Sequence, residues 1–174
     1  AKTGGFALPK AGFAPDRMTI LKSQPYDKAF SDLTFILNIP TLGISASVMG
    51  VPHHEKGWDV TWLGDDVGFL EGTAYPTWEG NTVLTGHVWN ADNTPGVFHA
   101  ISELRYGDQF SIFAHGSEYV YEVRGNRQVS ASDEGVMAHS EFDVVTLLTC
   151  ENYSDVIDDY LSRRAVDAVL IGIQ

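Results

Sequence analysis

The chain carries one cysteine, Cys150, and six histidines, at positions 53, 54, 87, 99, 115 and 139. A thiol with an ordinary pKa of about 8.5 is only a few per cent thiolate at neutral pH, so a nucleophilic cysteine needs help. The usual help is an imidazole that moves protons, with a cation or hydrogen-bond donor for the charge that develops in acyl transfer. Cys150 closes the apolar run TLLTC (146–150) and is followed at once by the polar Glu151-Asn152-Tyr153-Ser154-Asp155. That pattern puts it at a strand end, on a rim where loops build sites. His87 closes a comparable run, VLTGH (83–87), ahead of the polar Asn90-Ala91-Asp92-Asn93. Two strand ends can meet at one rim, which would give a Cys–His couple suited to acyl transfer. His115 ends a third run, SIFAH, and competes with His87 on pattern alone. A buried, inert thiol is the other reading of Cys150. His53 and His54 stand beside Glu55 with no evident third ligand. Neighbours on an extended chain point apart, so no metal is expected there. His99 and His139 read as surface or capping residues.

Short strands must position these groups. Asp32–Ile39 is rich in β-branched and aromatic residues and stops at Pro40, and Leu42–Val48 follows a tight turn. Comparable runs are Asp59–Leu63, Asn81–Val88, Asp108–Ala114, Glu118–Val129, Asp143–Thr149 and about Leu161–Ile173. Tyr119, Tyr121 and Val123 alternate with Val120, Glu122 and Arg124, as in a half-buried strand. Helical signal is short: two turns over Val97–Leu104 and one within Asn152–Tyr160. About eight strands with a few short helices indicate an all-β barrel or sandwich. Residues 1–30 differ, with Gly and Pro scattered from Gly4 to Pro25, and read as an arm or linker before a domain of residues 31–174.

VLTGH (83–87), TLLTC (146–150) and YLSRRAV (160–166) stand in that order, with an arginine thirteen residues past the cysteine. Together they resemble the TLTGH-like and TLxTC motifs of the sortases, and the likeness runs over most of residues 31–174. The resemblance implies a sortase-like eight-stranded β-barrel and a cysteine transpeptidase, hydrolytic when water replaces the amine. Such an enzyme cuts an LPxTG-like sorting signal after its fourth residue, holds the acyl group on the cysteine, and passes it to an amine of a cell-wall (peptidoglycan) precursor or a pilin lysine. It implies Cys150 as nucleophile, His87 as general acid and base, and an arginine as donor to the oxyanion or the substrate backbone. Spacing selects Arg163. Arg164 would face the opposite way on a strand, and alternation alone does not choose, because apolar residues share the parity of each. Leu148 and Thr149 belong to the substrate-facing wall, Thr149 through packing or a hydrogen bond, since it points away from the face of Cys150.

GWDVTWL (57–63) and YPTWEGN (75–81) are closest to class D or class E of that family, and the stretch from Val129 to Phe142 is too short for the helical insertion of class B. Some class A members hold calcium in acidic loops. Asp65-Asp66, Glu71 or Asp133-Glu134 could imitate one, but such loops in an acidic chain are ordinarily solvated, and no cofactor is expected. The resemblance also implies attachment at the extracellular face of the cell membrane through a segment outside residues 1–174.

The arm holds a motif of its own. Leu8-Pro9-Lys10-Ala11-Gly12 resembles the LPxTG signal with alanine at the threonine position. Pro and Gly are common in any linker, so a chance match is one reading. The other is a pseudosubstrate or lid lying in the groove, where a short tether supplies an effective concentration near about a millimolar. Cleavage between Ala11 and Gly12 would then be testable by intact mass.

Composition limits the alternatives. With 174 residues, 44% hydrophobic and 20% charged, the chain is expected to be a soluble single domain. Twenty-three acidic against eleven basic residues give a net charge of −12, which excludes the clustered Lys and Arg of a nucleic-acid binder. The rival readings are a non-enzymatic extracellular β-module and an inactive sortase-like peptide binder. In a sorted β-module the signal would stand near the C-terminus, and the co-occurrence of Cys150, His87 and Arg163 weighs against an inactive binder.

Overall fold

A computed structural model describes residues 6–21, 29 and 34–174. The boundary expected near residue 30 lies outside the described residues. Among the described residues ten strands are formed: β1 (Phe35–Ile39), β2 (Ile44–Val51), β3 (His53–His54), β4 (Gly57–Trp58), β5 (Val67–Leu70), β6 (Gly80–Thr85), β7 (Gln109–Ala114), β8 (Ser117–Ser130), β9 (Asp143–Ser154) and β10 (Asp159–Ile173). Eight close a barrel in the order β1-β2-β5-β6-β9-β10-β8-β7, with β7 pairing back onto β1, while β3 and β4 form a small separate ribbon. The expected eight-stranded all-β barrel is therefore present.

The sequence explains the strands in two ways. On β1 the residues alternate, with Phe35, Leu37 and Ile39 buried. By contrast β5 (VGFL) and β6 (GNTVLT) are buried at every position. Both take part in the parallel pairings β2–β5 and β6–β9, and strands covered on both faces read as continuous runs rather than alternating ones. Phe110, Ile112, Tyr121, Val145 and Leu147 are among the residues filling the barrel.

Three expected elements differ. Asp59–Leu63 is a turn: the Asp59 carboxylate accepts from the Thr61 backbone N–H at 3.0 Å and Thr61 Oγ1 at 2.6 Å, a side-chain turn that competes with extended structure. The strand in this region is instead Val67–Leu70. Of Val97–Leu104 only a single 3-10 turn at Ile101–Glu103 forms. Asn152–Tyr160 is not helical, because β9 and β10 continue past Cys150 as a hairpin that pairs Asp159 with Ser154. Among the described residues no helix is long and apolar enough to cross a membrane.

Candidate active site

β6 and β9 run parallel with Thr85 opposite Leu148, and the Gly86 N–H donates to the Leu148 carbonyl at 3.4 Å. His87 and Cys150 lie two residues farther along each strand, so they emerge at the same rim. The loop that carries His87 folds back on itself: Phe98 N–H donates to the His87 carbonyl at 3.0 Å and Gly96 N–H to the Val88 carbonyl at 3.1 Å. A Cβ on Gly96 would run into the His87 carbonyl, so only glycine permits this approach.

β10 completes the rim. Arg163 pairs directly with Cys150 across the antiparallel ladder, where opposed residues share a face. It is buried, with Nη1 donating to the Ser162 carbonyl at 2.9 Å. Arg164 takes the other face and grips Glu151 through two bonds of 2.6 and 2.5 Å. Register separates the two arginines where parity in the sequence could not. His115 sits at the far end of the barrel, in the β7–β8 turn: β8 leaves that turn pairing Tyr119 with Ile173, and reaches Ser162 only at Ser130. His53 and His54 are exposed on β3. His99 bonds through Nδ1 to the Val88 carbonyl at 3.0 Å, and His139 is exposed beside Gly80.

The arm crosses this rim. Leu8, Pro9, Ala11 and Ala14 are buried. The Leu8 N–H donates to the Ala131 carbonyl at 2.7 Å, and its side chain joins an apolar cluster that includes Val60, Leu63, Val83, Leu148 and Ala165. Arg163 Nε donates to the Pro9 carbonyl at 3.1 Å. Lys10 points outward and pairs with Asp159 at 2.7 Å. The Ala11 carbonyl accepts from the Val88 N–H at 3.0 Å, with Thr149 Oγ1 at 3.2 Å, while the Ala11 backbone lies close enough to Cys150 to favour its thiolate. Thr149 has a single hydroxyl hydrogen and its shorter contact, 2.7 Å, is to the Gly86 carbonyl. The hydroxyl nevertheless lies within 3.2 Å of the arm although Thr149 neighbours Cys150 on the strand, because the β9 edge beyond Leu148 is no longer covered by β6. Gly12 is wedged: a Cβ there would stand 2.6 Å from Val88 Cγ1 and 3.1 Å from the Tyr160 ring. Phe13 N–H donates to the Trp89 carbonyl at 2.9 Å, Tyr160 Oη donates to the Phe13 carbonyl at 2.6 Å, and the Phe13 ring lies 5.1 Å from that of His87.

This covering buries both His87 and Cys150. His87 is 1% exposed and neither ring nitrogen has a hydrogen-bond partner. Burial pulls its pKa down to about 4, and the nearby Val60 carbonyl and Asp65 carboxylate oppose that only in part. Burial also pushes the Cys150 thiol up to about 11, against the pull of the Arg163 guanidinium and the nearby Ala11 backbone. At neutral pH the couple is therefore a thiol and a neutral imidazole. The rim gathers a thiol, an imidazole, a guanidinium and a backbone N–H held at a carbonyl, a set of groups with the chemistry acyl transfer needs.

The sequence reading missed the Val88 N–H, which has no signal because every non-proline residue carries one. It also missed Tyr160 and Asp159, which acquire roles only through contact with the arm. Among the described residues no group of three or more His, Cys, Asp or Glu is gathered as a metal site. Of the acidic loops, Asp133 accepts from the Gly135 N–H and Glu71 from the His53 N–H.

Comparison with known proteins converges on one family. The model of the sortase domain matches residues 37–171. The chain is similar to Sortase D of Bacillus subtilis (strain 168), 28% identical over 122 residues, covering 70% of this chain but 56% of that relative. It thus spans little more than half the relative's length. Among solved structures it is similar to a Clostridium perfringens Sortase D5 transpeptidase, at 27% identity and a TM-score of 0.65, over 81% of this chain and 80% of that one. It is also similar to Clostridium perfringens sortase C with the C-terminal cell wall sorting motif, at 27% identity and a TM-score of 0.65, over 81% and 71% of the two chains.

Proposed function

The chain belongs to the sortase family, and from that premise we propose that it is a cysteine transpeptidase acting on LPxTG-like sorting signals at the extracellular face of the cell. Cys150 attacks the carbonyl carbon of the fourth signal residue, the Val88 N–H holds the oxygen as it becomes an oxyanion, and Arg163 orients the substrate backbone two residues upstream. His87 delivers the thiol proton to the departing amine, leaving a thioester. An incoming amine of a wall precursor or a pilin lysine attacks that thioester, with His87 accepting its proton. Leu148 contributes to the pocket for the leucine of the signal, and Thr149, held by the Gly86 carbonyl, lines the wall beside the reacting carbonyl.

The observation that carries this reading is the seating of Leu8–Gly12. An LPxTG-like segment lies along Cys150 with its fourth carbonyl on the Val88 N–H and its proline carbonyl on Arg163. We read the arm as a pseudosubstrate that occludes the groove.

The test is turnover of a quenched LPxTG peptide, with and without a small amine, by the full chain, by a form lacking residues 1–25, and by Cys150→Ala. Cys150-dependent cleavage with an amine-ligated product, faster without the arm, supports the proposal. Silence of both forms across LPxTG and LAxTG peptides refutes it in favour of a peptide binder. Intact mass of the full chain reports whether Ala11–Gly12 is itself cut.

A further inference from the structure

Resting on that transpeptidase reading, we propose that the acidic cleft beside His87 is the acceptor site and that it recognises a primary ammonium through Asp65 and Asp92. The cleft has a volume of about 250 Å³, and its walls include Trp62, Asp65, His87, Asn90, Asp92 and the arm's Phe13. Among the described residues neither Asp65 nor Asp92 takes part in an ion pair. Asn90 holds Asp65 through Nδ2 at 2.9 Å, while its own buried Oδ1 has no partner. His87, almost fully buried, faces this cleft with both ring nitrogens unpartnered. Asp92 Oδ1 accepts from the Thr94 N–H at 3.2 Å and from Thr94 Oγ1 at 2.5 Å, which fixes its carboxylate without cancelling its charge. An ammonium would satisfy the orphaned acceptors and meet two carboxylates that have hydrogen bonds but no cation.

Direction of the chain supplies the second argument. Gly12 and Phe13 stand where the leaving side of a signal would lie; Phe13 passes His87 to reach the Trp89 carbonyl, and farther along the arm the Thr19 N–H donates to the Ala91 carbonyl at 2.7 Å. The incoming amine must take the position that the leaving amine vacates, so it enters on this side. The neighbouring groove at Cys150 offers no such charge, because its Glu151 is already neutralised by Arg164. The overall charge of −12 adds a field that gathers cations.

The step balances. The bound ammonium releases one proton to water at the cleft mouth, and the neutral amine attacks the thioester carbonyl carbon. The C–N bond forms, the C–S bond breaks, and the second proton passes through His87 to the departing Cys150 thiolate.

The experiment uses the full chain with the arm loosened by Leu8→Ala, a donor LPxTG peptide, and three nucleophiles at pH 7. Glycinamide supplies an α-ammonium, Nα-acetyl-lysinamide supplies an ε-ammonium, and hydroxylamine is neutral. Mass spectrometry reads the ratio of ligated to hydrolysed product. In Asp65→Asn/Asp92→Asn the ratio should fall about tenfold for at least one ammonium and less than about twofold for hydroxylamine, since only a charged ligand loses Coulombic attraction. The ammonium that falls further identifies the source. An unchanged ratio for both ammonium acceptors, or an equal fall for all three nucleophiles, overturns the proposal. Absence of any Cys150-dependent product from the unsubstituted cleft overturns the transpeptidase reading itself.

Discussion

Truncating Leu8 to alanine should open the groove by an amount that can be worked out. Leu8 is 2% exposed, and burying a leucine side chain is worth about 1.5–3 kcal/mol. Removing most of that side chain weakens docking by about 2 kcal/mol, and no cavity penalty can exceed what the arm avoids by detaching. At about 1.4 kcal/mol per tenfold, the ratio of undocked to docked arm rises about thirtyfold. Cys150 is the chain's one cysteine, so its alkylation by iodoacetamide can be followed by intact mass without ambiguity. The docked thiol is buried and held near 11, so reaction proceeds through the undocked state and its rate follows that population. The expected result at pH 7.5 is alkylation about thirtyfold faster in Leu8→Ala, bounded above by the form lacking residues 1–25, with a Tm shift of no more than a few degrees. A rate within twofold of the parent chain would falsify the claim that the arm guards Cys150.

Three further outcomes are expected. Gly96→Ala forces a methyl group onto the His87 carbonyl and should lower stability by about 1–3 kcal/mol, seen as a reduced urea midpoint with unchanged m-value. Arg163→Lys should reduce peptide kcat/KM by about a hundredfold through loss of a directed donor, while Arg164→Lys leaves it within a few-fold and lowers stability by about 1 kcal/mol. His87 titrates near 4 when folded against an ordinary 6.5, so the unfolded chain binds more protons between those values. Its contribution makes stability rise with pH across that window, by about 3 kcal/mol in all. Asp143, raised to about 6 by burial, slopes the opposite way between its ordinary 3.8 and 6. The measurement is therefore the difference between the parent and His87→Gln in urea midpoints from pH 4 to 7, which should grow as pH rises; a flat difference refutes a buried neutral imidazole.

The strands that alternate or end at a turn residue were legible: β1 stops at Pro40, and β8 shows its two faces plainly. Val67–Leu70 was not, because a four-residue strand buried on both faces has no period to detect. Asp59–Leu63 carried an alternating signal with two β-branched residues and a tryptophan, yet the Asp59 carboxylate captures the backbone ahead of it. At the site, motif order pointed to His87 and Cys150, since parallel neighbours bring two strand ends to one rim. Spacing from the cysteine favoured Arg163 over Arg164, but why the two differ needed the register with β9, which sets Arg163 opposite Cys150. Contacts of Leu8, Pro9 and Ala11 with partners more than a hundred residues away depend on the closed barrel and leave no local trace.

Those separations set an order of assembly. Ala11 meets Thr149 across 138 positions, Phe13 meets Tyr160 across 147, and Pro9 meets Arg163 across 154. Cys150 and Arg163, by contrast, face each other within one hairpin. Closing a long loop carries more entropy than closing a short one, and distant contacts form late. During synthesis the guarding segment also emerges before the strand that anchors it exists. Cys150 is thus built uncovered and muted afterwards. Refolding from urea should show a transient interval in which Cys150 reacts freely, ended by a slower phase of protection.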